Sequence, residues 1–71
     1  MFYFFHKGPE YVRCQIRPVE GDGHGYEIVV TEPAGDERVE HFATSQAASA
    51  RWEELQQDFH GEGWFGPFGR E

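Results

Sequence analysis

At Thr44–Ser45 the spacing of the apolar residues changes period, and that change limits the folds open to the chain. Before it, apolar residues alternate with polar ones. In Tyr11–Arg17, YVRCQIR, Val12, Cys14 and Ile16 take one face and Arg13, Gln15 and Arg17 the other, the two-residue period of a half-buried strand. In YEIVVT, Tyr26, Ile28 and Val30 oppose Glu27, Val29 and Thr31. Met1–His6 is short and almost wholly aromatic, and RVEHF, ending at Phe42, is a weaker run. KGPE, PVEGDGHG and EPAGDE separate these runs as turns or loops, since Gly and Pro are the strongest local breakers. After the change, Ala48, Trp52, Leu55 and Phe59 follow at steps of four, three and four, one stripe of an α-helix. Thr44 or Ser45 supplies an N-cap, and Gly61 stands where a left-handed glycine ends a helix. The pattern predicts an α+β domain over residues 1–71. It is a four-stranded antiparallel meander (strands about 1–6, 11–17, 26–31 and 37–42), with one helix over about 45–60 on one face and a tail, 61–71, folded back.

One helix covers one face of a sheet, which makes the first strand a problem. Phe2 and Phe4 point one way and Tyr3 and Phe5 the other, so both faces are apolar, and a simple meander leaves this strand at an edge. An exposed edge of that kind invites aggregation. The uncommitted apolar material is in the tail, HGEGWFGPFGRE, where Trp64, Phe65 and Phe68 sit among glycines and Pro67. A chain of 71 residues lies near the lower limit for folding without a staple. Seven Phe, three Tyr and two Trp stand beside a lone leucine, Leu55, so rings must supply most of the core. The tail is therefore expected to act as a clamp on the first strand or as a contact surface, through Trp64, Phe65, Phe68 and Arg70 with Tyr3 and Phe5.

The eight residues GWFGPFGR, Gly63–Arg70, resemble the ending of small uncharacterised bacterial proteins that close on a similar Gly-Trp-x-Gly-Pro-x-Gly-Arg tail. The resemblance implies a bacterial chain of this size and a strand-then-helix plan. It brings no activity, ligand or catalytic residue. Beside Glu71, Arg70 is placed to anchor the tail by an ion pair, which when exposed contributes little.

Chemical motifs are sparse. GDGHG at Gly21–Gly25 lacks the Lys-Ser/Thr of a phosphate loop, leads into a strand, and has Glu20 and Asp22 to repel phosphate. His6, His24, His41 and His60 show no H-x-x-x-H spacing; Asp22 with His24, or His6 with His41 if the first and fourth strands pair, are the remaining metal candidates. HGE at His60–Glu62 lacks the C-x-x-C that zinc deaminases add to H-x-E. Cys14, the only cysteine, excludes an internal disulfide and reads as a small core residue between Val12 and Ile16. The formal charge of −7 disfavours nucleic acid, although four strands and a helix also suit a single-strand binder that stacks bases on sheet aromatics. Arg13, Arg17 and Arg38 beside Tyr3 or Phe5 would serve such a binder. Glu27 and Glu40 on the same nominal face make cross-strand Arg–Glu pairs the plainer reading.

The start, MFYFFHKGPE, has too short an apolar run for a signal peptide or a membrane span. The expectation is a cytoplasmic, non-catalytic interaction or structural module with no cofactor, no metal and no membrane. Its partner is another protein or a second copy in a homodimer. A single-strand nucleic-acid binder and a small metal-dependent enzyme are the alternatives.

Overall fold

The computed structural model describes residues 1–19 and 25–70, Arg70 through its backbone alone. Strands β1 (Phe2–Lys7), β2 (Glu10–Pro18), β3 (Tyr26–Thr31) and β4 (Glu37–Phe42) precede helix α1 (Ser45–Gly61), and a fifth strand, β5 (Phe65–Arg70), follows it. The sheet order is β4-β3-β2-β1-β5, antiparallel throughout. The architecture is thus an α+β fold with one helix on an antiparallel sheet. The expected four-strand count is corrected to five, because the tail pairs with β1 instead of lying over it. β1 is accordingly an interior strand, and its free edge has become a ladder.

The register follows from a two-residue hairpin. Gly8, at φ +60, and Pro9 join β1 to β2, pairing Lys7 with Glu10, His6 with Tyr11 and Phe5 with Val12. Since paired residues share a face, Phe5 joins Val12 and Cys14 on the helix side. Phe5, Val12, Cys14, Ile28 and Val30 meet Leu55 and Phe59 of α1 in one buried cluster. The Phe5 ring lies 4.6 Å from Phe59 and 5.9 Å from Trp52, and Tyr3 packs 4.9 Å from Trp52 (centroid distances). The expectation that rings supply most of the core is corrected: only Phe5 and Phe59 of this cluster are rings, and Tyr3, Phe42, Trp52 and Trp64 pack against it from partly buried positions.

The helix starts where capping chemistry allows. Thr44 Oγ1 accepts the Ala47 N–H at 3.1 Å, satisfying one of the first-turn donors that have no partner within the helix. Its end differs from expectation. The helix continues through Gly61, and the left-handed residue is Gly63, at φ +93. The Gly63 N–H donates to His60 O at 3.1 Å and the Trp64 N–H to Phe59 O at 2.9 Å. Together these form a Schellman stop. The apolar contact typical of that motif is present as well, with the Trp64 ring edge-on to Phe59 at 6.1 Å. Trp64 therefore turns the chain out of α1 toward β5. Lys7 reinforces the turn by donating to Glu62 O at 2.9 Å, with its ammonium 5.8 Å from the Trp64 ring centre.

Candidate functional site: the outer face of the sheet

Alternation puts Tyr3 and Phe5 under the helix and leaves Phe2, Phe4 and His6 on the opposite, uncovered face. The register continues that face with Tyr11, Arg13, Gln15 and Arg17 of β2, Glu27, Val29 and Thr31 of β3, and Glu37, Val39 and His41 of β4. β5 adds Phe65 and Phe68. Three residues apart on a regular strand, these two would point to opposite faces. A bulge prevents this: between the pairs Phe4–Phe68 and His6–Phe65, β1 advances two residues while β5 advances three. The extra residue falls at Gly66-Pro67, where Gly66 holds φ +143, and Gly66 O accepts a hydrogen bond from His60 Nε2 at 2.7 Å.

The result is an aromatic cluster in the open. The His6 ring lies 5.5 Å from both Phe65 and Phe68 and 6.1 Å from Tyr11. Phe65, Tyr11 and Phe68 are 62 %, 61 % and 52 % exposed. Phe4, Phe68 and Tyr11 wall an open groove of about 630 Å³ that continues past Arg13, Thr31 and Glu32 to Pro33. The diagonally opposite corner is polar. There Glu27 takes Arg17 Nε at 2.9 Å and lies 3.3 Å from His41 Nδ1. The expected cross-strand Arg–Glu pairing thus holds for Arg17 and Glu27. Arg38 and Glu40, expected on this face, are paired with Val30 and Ile28 on the helix side, where Glu40 accepts Arg51 Nε at 2.9 Å.

The residues expected to form the clamp or contact surface therefore separate into three groups. Trp64 packs against the core and stops the helix. Phe65 and Phe68 join the outer face. Tyr3 and Phe5 serve the core, so the outward residues of β1 are Phe2 and Phe4 instead. The side chain of Arg70, and with it the proposed pair with Glu71, lies outside the described residues, as does the Glu20–His24 stretch with its Asp22–His24 candidate. His6 and His41 do not meet, because β1 and β4 are separated by two strands. Among the described residues no three of His, Cys, Asp and Glu gather so as to hold a metal ion. None of the described helices is long and apolar enough to cross a membrane.

Cys14 sits fully buried. Burial pushes its thiol up to about 12, against the opposing charge of Arg38. In the unfolded chain it ionises near its ordinary value of 9.0. The raised value thus contributes stability that is fully present below about pH 9 and is lost as pH rises toward about 12. A thiol reagent at about pH 8 is expected to leave the native chain unmodified and to label it fully in denaturant. Rapid stoichiometric labelling of the native form would contradict this account of Cys14.

Compared with family models, curated proteins and solved structures, the chain matches none.

Proposed function

We propose that the chain is a non-catalytic protein-interaction module whose working surface is the outer face of its sheet. One observation carries the reading: the exposed rings of Tyr11, Phe65 and Phe68 converge on the one sheet face that the helix does not cover. Contiguous apolar patches bordered by polar groups mark contact sites, and aromatic residues with arginine are enriched at the centres of such sites. The outer face has this composition, with Phe4, Tyr11, Phe65 and Phe68 beside Arg13 and a polar corner at Arg17–Glu27. A cytoplasmic setting belongs to the same proposal.

A second reading is supported by Phe4, Tyr11 and Phe68 lining one groove with Arg13, an arrangement on which unpaired bases stack. The net charge of −7 weighs against it. A photoreactive phenylalanine analogue in place of Phe68, activated in the native cell, tests both readings. Protein adducts at this position, absent when the probe replaces Glu54 on the helix, are the expected outcome. A nucleic-acid adduct would transfer the assignment to the second reading. No adduct of either kind would end the proposal.

A further inference from the structure

We infer that the partner of this face is a second copy of the chain, the two sheets packed outer face to outer face. The inference rests on the proposed interaction role and names its partner. Three features of the fold converge on it.

The sheet edges come first. β4 presents Glu37, Arg38, Glu40 and His41 along one edge, and β5 carries Pro67, without an N–H, and a bulge along the other. Charged residues, proline and bulges are the devices that stop edge-to-edge pairing. Two copies cannot readily join by extending the sheet, which leaves the faces.

The charge distribution then separates the faces. From α1 through its cap, Arg51 stands against Glu53, Glu54, Asp58 and Glu62, a balance of 1 − 4 = −3. On the outer face Arg13 and Arg17 stand against Glu27, Glu37 and the groove-lining Glu32, a balance of 2 − 3 = −1. A chain of net charge −7 meets its own copy at least cost where that charge is not concentrated. Face-to-face packing holds the sheets roughly 10 Å apart and turns the two acidic helices outward. With each helix about 10 Å from its sheet, they lie roughly 30 Å apart, several times the ~8 Å screening length of physiological salt. Any contact through α1 would instead bring like charges together.

Symmetry and area complete the case. A two-fold axis running across the strands near β1 and β5 lays the rings of one copy on those of the other. It leaves Arg17, Glu27 and His41 at the rim, the apolar centre and polar margin of a specific interface. Five strands of about six residues span roughly 24 by 20 Å. Two such faces bury on the order of 1,000 Å², the lower bound for a specific association. The dimer is therefore reversible and concentration-dependent.

Sedimentation equilibrium of the whole chain, from low to high micromolar concentration, is the test. The expected result is a mass rising from that of one chain toward twice that value, with Phe68→Glu and Phe65→Glu each remaining monomeric. Both rings are mostly exposed in one chain, so the variants keep the native circular dichroism and the loss reports on association. Glu54→Gln, on the helix, still dimerises. A single-chain mass at the highest concentration overturns the inference, as does a dimer that survives both glutamate substitutions. If the chain is monomeric but photocrosslinks through position 68 to other proteins, the interaction role stands and only the self-partner is lost. If it is monomeric and forms no adduct, both are lost.

Discussion

Phe5→Ala is expected to lower the thermal midpoint of the domain more than any change on its outer face. The Phe5 ring is 0 % exposed and touches three rings of α1, those of Trp52, Phe59 and His60. It lies between the sheet and the helix, so removing it opens a cavity that neither layer closes without losing its own contacts. Phenylalanine-to-alanine changes in cores cost about 3–5 kcal/mol. A domain of this length has on the order of 4–11 kcal/mol in total, at roughly 0.05–0.15 kcal/mol per residue. The substitution thus removes a large share of the stability, and at about 4–8 °C per kcal/mol the midpoint falls by roughly 12–40 °C. Thermal melts followed by far-ultraviolet circular dichroism measure this directly. A variant melting within a few degrees of the parent would show that Phe5 is not the centre of the core. Phe65→Ala, on the opposite face, is expected to shift the midpoint of the isolated chain by only a few degrees.

Gly66→Ala is expected to detach β5. At φ +143 an L-residue is strained, and a Cβ would lie 2.7 Å from Phe4 O, 2.9 Å from Phe5 Cδ2 and 3.2 Å from Phe5 Cα. Two of these three neighbours are backbone atoms of β1, which cannot move aside as the end of a flexible side chain can. Conformational strain of this kind costs about 1–3 kcal/mol, and the steric displacement adds to it. β5 is held by one ladder, by the His60–Gly66 hydrogen bond and by the Lys7–Trp64 latch, so the expected failure is local. Hydrogen exchange should show β1 and β5 amides losing protection while β2–β3 amides keep theirs. Gly69→Ala is the comparison: a Cβ there meets only the Tyr3 ring, at 3.7 and 3.9 Å, in ordinary contact. Equal loss from the two substitutions would mean that β5 depends on general flexibility and not on close approach at Gly66.

The contrast between these glycines shows what was legible in the sequence. β2 and β3 announced themselves by alternation, because a face buried under a helix imposes a strict two-residue period. α1 was legible for the same reason, its stripe from Ala48 to Phe59 facing that core. β5 was hidden because Gly66, Pro67 and Gly69 are breakers in almost any context. Here Pro67 sits on an edge strand, where a missing N–H is tolerated, and Gly66 is required for the contact that closes the sheet. The helix end was ambiguous between Gly61 and Gly63, two glycines in a Gly-Glu-Gly run, and the Schellman bonds select the second. For β1 the pattern alone was silent, since both of its faces are apolar. The signal was present in the hairpin: with a two-residue loop at Gly8-Pro9, Phe5 pairs with Val12 and must turn inward, and Phe4 pairs with Arg13 and must turn out. The outer aromatic face was legible in neither way, because it depends on a bulge that brings Phe65 and Phe68 to the same side.

The pairing of β1 with β5 also bears on how the chain is made. β1 leaves the ribosome about sixty residues before the strand that covers its flank, and at roughly 5–20 residues per second that flank waits several seconds. Until then a phenylalanine-rich ribbon stands open on the nascent chain. Vectorial synthesis, rather than the finished molecule, is when this fold is most in need of a chaperone.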